Sequence, residues 1–208
     1  MVFFRSNQKE MEDEGRLTPP LTGIGAKLRQ DWLRTLFDQG SRERPYMMTR
    51  MPRFGTRNVA SLISAWEAED SPVDHELKID KTPLRHLKAA GRQLRGDQAF
   101  SCIKCHTFSK HRATGIQALS LTSMTRRLKE NWFHHYMLSP QTFRPGTRMP
   151  ASWPNGQVLL PQILNGNAHT QVHALWTYLS DGDGAAVPKG LLGQVLELIV
   201  IDEPVIYR

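Results

Sequence analysis

The chain has 208 residues, enough for one or two small domains. With 39% hydrophobic and 23% charged residues it has the balance of an ordinary globular protein, and no apolar run is long enough to span a bilayer. Lys and Arg outnumber Asp and Glu by 27 to 20, but the basic residues are scattered, which argues for a mildly cationic surface and against a nucleic-acid patch. In chain order, residues 1–16 are polar and charged and are expected to be disordered; Met1-Val2-Phe3-Phe4-Arg5-Ser6 is too short for the apolar core of a secretory signal. From Leu17 a pattern begins that returns later. Leu21-Thr22, Leu28 and Trp32 match Leu121-Thr122, Leu128 and Trp132, and Arg44-Pro45 matches Arg144-Pro145. Arg50-Met51-Pro52 matches Arg148-Met149-Pro150 at an offset two residues shorter. Each copy closes in an apolar helical stretch that contains a Trp, so a duplicated module is the economical reading, with the first copy at 17–70.

Residues 71–82 read as a polar linker. Thr82-Pro83 predicts a helix start, and Leu84, Leu87, Gly91 and Leu94 share the face of a helix running up to Cys102. A second helix is expected over about 124–138, ending before Pro140, and a third over about 168–180, with Val172, Leu175, Trp176 and Leu179 as its apolar stripe. Between them lies a long segment, 139–167, rich in Pro, Gly and Asn; a connection of that length usually has a task. Residues 182–208 read as a linker and the start of a β-rich segment, with a strand expected at 195–201 from its β-branched run.

The two cysteines stand three apart, in Cys102-Ile103-Lys104-Cys105-His106. A pair so close cannot staple a fold, which leaves chemistry as its purpose. Cys-x-x-Cys-His is the attachment motif of c-type haem: each thiol adds to a vinyl group, and the adjoining imidazole is held beneath the iron. A thioredoxin-like redox pair would need a βαβ setting, and these surroundings read as helical. Half of a zinc site would leave a fourth ligand to be found, since there is no second cysteine pair.

Together with its flanks the motif resembles a class I cytochrome c domain over residues 83–181. The likeness is carried by the helix with Gly91 and Leu94, then Cys102–His106, then Pro145-Gly146-Thr147-Arg148-Met149-Pro150, then the helix with Leu175, Tyr178 and Leu179. The resemblance implies an all-α fold: a small helical cytochrome c domain at 83–181, preceded by an incomplete cytochrome-c-like copy and followed by a C-terminal strand. It further implies one haem c per chain, thioether-linked through Cys102 and Cys105, with His106 and Met149 as axial ligands and Gly91 packed against Tyr178. The tandem pattern and the tail from Leu196 to Arg208 are similar to the cytochrome c region of large multidomain planctomycete-type bacterial proteins, so the chain is expected to be a fragment of a longer polypeptide.

On that reading the function is electron transfer, without a catalytic residue of its own. The alternative is a haem-containing module of a multidomain oxidoreductase, either the electron acceptor of a dehydrogenase or a peroxidase-like enzyme with an open axial position. Haem attachment implies an extracytoplasmic, periplasmic location, and the net positive charge implies a redox protein partner with an acidic docking surface. Trp132 is either core or a pocket wall whose indole could bond a propionate. Arg144 and Arg148 either pair with propionates or stand exposed. Met149 could be a core methionine, and Met51 either a relic of a distal ligand or a core residue. His134, His135, His169 and His173 read as surface histidines, although His169 and His173 have the i, i+4 spacing of metal pairs. The first copy is expected to bury too little to fold by itself, and the second to hold haem without it.

Overall fold

The computed structural model describes residues 5–40, 43–70 and 77–191. They are mostly helical and contain no sheet, as expected of an all-α chain. The helices are α1 (Glu12–Arg16), α2 (Ile24–Lys27), α3 (Gln30–Gln39), α4 (Thr56–Glu69), α5 (Leu84–Arg95), α6 (Met124–Arg127), α7 (Glu130–Leu138), α8 (Pro140–Phe143) and α9 (Ala168–Leu179). None is long and apolar enough to cross a membrane.

The duplication seen in the sequence is present in space. The short α2 is followed by α3 at the same register as α6 is followed by α7. The helix expected over 124–138 is therefore two helices. Leu128 and Lys129 are extended between α6 and α7, and Leu28 and Arg29 do the same between α2 and α3. The break is stabilised from outside: Leu28 and Leu128 pair in an antiparallel bridge, Arg29 N–H donates to the Arg127 carbonyl, and Lys129 N–H donates to the Lys27 carbonyl, both at 2.9 Å. The Arg29 and Lys129 N–H groups thus find equivalent carbonyl partners in the other copy.

The main core lies in the second copy, where α5 crosses α9. Leu87, Leu94, Val172, Leu175 and Leu179 are all buried there, each contributing about 1.5–3 kcal/mol as an upper estimate. The crossing is close because of Gly91: a Cβ at that position would meet the Ala174 carbonyl and lie 2.6 Å from Tyr178 Cβ. The contact implied by the cytochrome resemblance is thus present. Helix α5 begins at Leu84, with Pro83 in the cap position and Thr82 Oγ1 turned to the Asp80 carbonyl, one residue later than the sequence suggested. The first copy has a smaller core of Leu33, Phe37 and Ile63, with Met51 and Trp66 packed on it.

Two boundaries differ from the sequence expectation. Residues 5–16 are ordered against the rest of the chain: Met11 is buried with Tyr46 and Met47, and Glu14 reaches the 144–148 loop. Short acidic segments look disordered in isolation, and here the order comes from basic partners distant in sequence. Residues 182–191 belong to the domain and are no linker. Leu191 is fully buried, Arg92 Nε donates to the Val187 carbonyl at 2.8 Å, and Tyr178 Oη donates to the Ala186 carbonyl. The expected strand at 195–201 lies outside the described residues.

Candidate functional site

Helix α5 ends at Arg95, short of the Cys102 to which the sequence suggested it would run; after six non-helical residues Cys102 opens a single helical turn, Cys102–Lys104, which Ser101 reaches in a left-handed conformation (φ 53°). The turn places both thiols on one short stretch, with Cys105 N–H and His106 N–H both donating to the Cys102 carbonyl. Downstream, the strand-like residues 114–121 return alongside it. Thr114 N–H donates to Ile103, Ala118 N–H to Cys105 and Leu121 N–H to Thr107, so the motif is held by backbone bonds on both sides of the imidazole.

His106 Nδ1 lies 2.9 Å from the Leu119 carbonyl oxygen. A carbonyl only accepts, so Nδ1 carries the proton and Nε2 presents its lone pair. Burial lowers the His106 pKa to about 4, against the opposing pull of the Leu119 bond, and the ring is neutral at physiological pH. Burial also pushes the Cys102 thiol up, while nearby Arg95 pulls it down. A neutral, oriented imidazole beside two thiols is a donor set suited to iron and thioether links: the residues present fit a haem c.

Met149 is half-buried, packed on the main core at the end of the loop that follows α8. The loop is pinned from several sides: Gln141 Nε2 donates to the Met149 carbonyl at 2.9 Å, and Met149 N–H donates to Thr147 Oγ1 at 3.3 Å. Farther along, the fully buried Gln171 of α9 takes the Trp153 indole N–H at 2.8 Å and donates to the Leu160 and Ile163 carbonyls. Trp132 is buried, stacked on Tyr136 (centroids 4.7 Å apart), with Lys27 Nζ 4.6 Å from its ring centre. The equivalent Trp32 has Arg126 and Arg127 over its face, so each copy sends cations onto the other copy's Trp.

Arg144 and Arg148 have protein partners. Arg144 Nε pairs with Glu14 at 3.2 Å, and Arg148 pairs with Glu12 at 3.7 Å and donates to the Glu10 carbonyl. Arg148 thus turns to α1. Met51 is partly buried against the small core of Leu33, Phe37 and Ile63 in the first copy. The surface reading of the histidines fails for His134, which is 1% exposed and 2.9 Å from His169 Nδ1. Burial, then His169, His135 and His173, lowers its pKa to about 3. His173 Nδ1 lies 3.0 Å from a Glu130 carboxylate oxygen, and His169 Nδ1 is taken up by His134.

Sequence reading missed Glu14, Lys27, Arg44, Arg127 and Gln171. For Lys27 and Arg127 a signal existed, since both stand five residues ahead of the Trp in their own copy. Compared with protein-family models, with curated proteins and with solved structures, the chain matches none.

Proposed function

We propose that this chain is an electron-transfer protein with a cytochrome c fold that carries one haem c, linked through Cys102 and Cys105, with His106 and Met149 as axial ligands. The observation that carries the reading is the His106 Nδ1–Leu119 bond. It fixes the tautomer and leaves the Nε2 lone pair for iron, on the residue that directly follows Cys105. The cofactor, when bound, supplies the one-electron couple. The protein's own share is to orient the imidazole, to deliver the Met149 thioether on a loop tied down by Gln141 and Thr147, and to bury the site beneath α5 and α9.

With both axial positions filled by side chains, no site is open to substrate, which favours electron relay over peroxidase-like chemistry. Thioether ligation raises the potential and suits passage onward to an acceptor. The attachment chemistry requires an extracytoplasmic compartment with reduced thiols, and the net positive surface suits an acidic redox partner. Production in a host with cytochrome c maturation tests the reading: a denaturing gel should stain for haem, and Cys102→Ala with Cys105→Ala should abolish the stain.

A further inference from the structure

At the junction of the two copies stands a concentration of positive charge that, among the described residues, exceeds the carboxylates set against it. Lys27 ends α2, Arg127 ends α6, Arg44 lies in the loop after α3, and Arg144 follows α8. Lys27, Arg44 and Arg127 bear on one another electrostatically, Tyr46 interacts with Arg44 and Arg127, and Arg144 bears on Lys27, Arg44 and Tyr46. Burial first, and then Arg44, Arg127 and Arg144, lowers the Lys27 ammonium to about 7. Arg127 is 8% exposed; its Nε and NH1 are buried with no hydrogen-bond partner, and Glu43 approaches NH1 only to 3.8 Å.

Two carboxylates serve the four cations, Glu14 on Arg144 and Glu43 on Arg127, and Glu43 is shared with the exposed Arg126. Among the described residues the cations of this partly desolvated cluster outnumber the carboxylates set against them. A buried guanidinium without a hydrogen-bonded counter-charge is costly, so the arrangement favours an anionic ligand. The cluster adjoins the Cys102–His106 motif. Glu14 acts on both His106 and Arg44, and Tyr46 and Met47 pack on Ala118, which bridges to His106.

Resting on the haem reading above, we infer that Lys27 and Arg44 of the first copy join Arg127 and Arg144 of the second to seat the two propionate carboxylates of the haem. The first copy, which has neither cysteine nor histidine to hold a haem of its own, thereby completes the pocket of its neighbour. Its contribution is charge and burial: two cations delivered across the Leu28–Leu128 bridge. Lys27 also spans the Trp132 ring, so one side chain ties the first copy, the pocket wall and the carboxylates together.

The test uses the full haem-loaded chain and the propionate-bending band of its resonance Raman spectrum. Lys27→Met and Arg44→Met should each shift the band, Lys27→Arg should restore it, and Arg34→Met, on the exposed face of α3, should leave it in place. Where Lys27→Met fails to accumulate, Arg44→Gln read in the same way decides. A band unmoved by both first-copy variants overturns the inference. So does an unmoved band accompanied by a rise in Tm with inorganic phosphate that Arg44→Gln removes, which would assign the cluster to a free dianion. Failure of the underlying haem reading is separately visible, since the unmodified chain would then give no pyridine haemochrome.

Discussion

Leu28 and Leu128, equivalent residues of the two copies, pair with each other across the junction between them. The bridge carries two matching backbone bonds, Arg29 to Arg127 and Lys129 to Lys27. It therefore relates the copies by an approximate twofold axis, an arrangement that a gene duplication followed by self-pairing would produce.

That pairing can be cut selectively. Lys129 has φ −77°, which proline accepts, and its N–H serves the other copy alone. Lys129→Pro should cost about 1–2 kcal/mol, from the lost bond and a stranded Lys27 carbonyl. The first copy should then become more open to limited proteolysis, while residues 83–191 stay resistant. Unchanged cleavage of residues 17–70 would show that the bridge does not hold the copies together.

Gly91 sets the distance between α5 and α9. Gly91→Ala should destabilise by about 1–3 kcal/mol, the cost of overpacking, because the new methyl meets the backbone of Ala174 and cannot be relieved by a rotamer change. Denaturant unfolding of the full chain reads this directly; a midpoint equal to that of the unmodified chain would contradict the packing described.

Much of the second copy could be read from the sequence, because periodicity and the spaced Cys-x-x-Cys-His and Met-Pro motifs are local signals. The helix of Gly91 and the helix of Tyr178 were legible, while the end of the first at Arg95, ahead of a separate turn at Cys102, was not. The interruption at Leu128 was not, since the bonds that stabilise it come from residues one hundred positions away. The order of residues 5–16 was hidden for the same reason: Glu14 gains its partners, Arg144 and Thr147, only in three dimensions. His134 looked like a surface residue because its neighbour His135 and its polarity suggested one; burial and the His169 bond became visible only with α7 set against α9.

His134 makes stability depend on pH. Its pKa falls from 6.5 to about 3 on folding, so between those values the unfolded chain binds more protons than the folded one. Stability should be fully present above about pH 6.5 and decline as the pH falls towards about 3. Much of this window lies above the range in which carboxylates protonate. His134→Gln should flatten the decline between pH 6.5 and 4.5 in thermal melts, and an identical decline in that variant would assign it to other groups.

Met149 as distal ligand predicts a weak near-infrared charge-transfer band in the oxidised protein. Met149→Ala should remove the band and lower the reduction potential, while Met51→Ala, partly buried against the small core of the first copy, should leave both in place and cost about 1–2 kcal/mol of stability. A band that survives Met149→Ala but not Met51→Ala would exchange the two assignments.

The most direct measurement is a pyridine haemochrome titration set against protein concentration, on full chain made in a host that matures cytochromes c. One haem per chain, retained after acid–acetone extraction and lost in Cys102→Ala with Cys105→Ala, is the predicted result. Stoichiometric zinc with no haem, or haem that extracts freely, would contradict it.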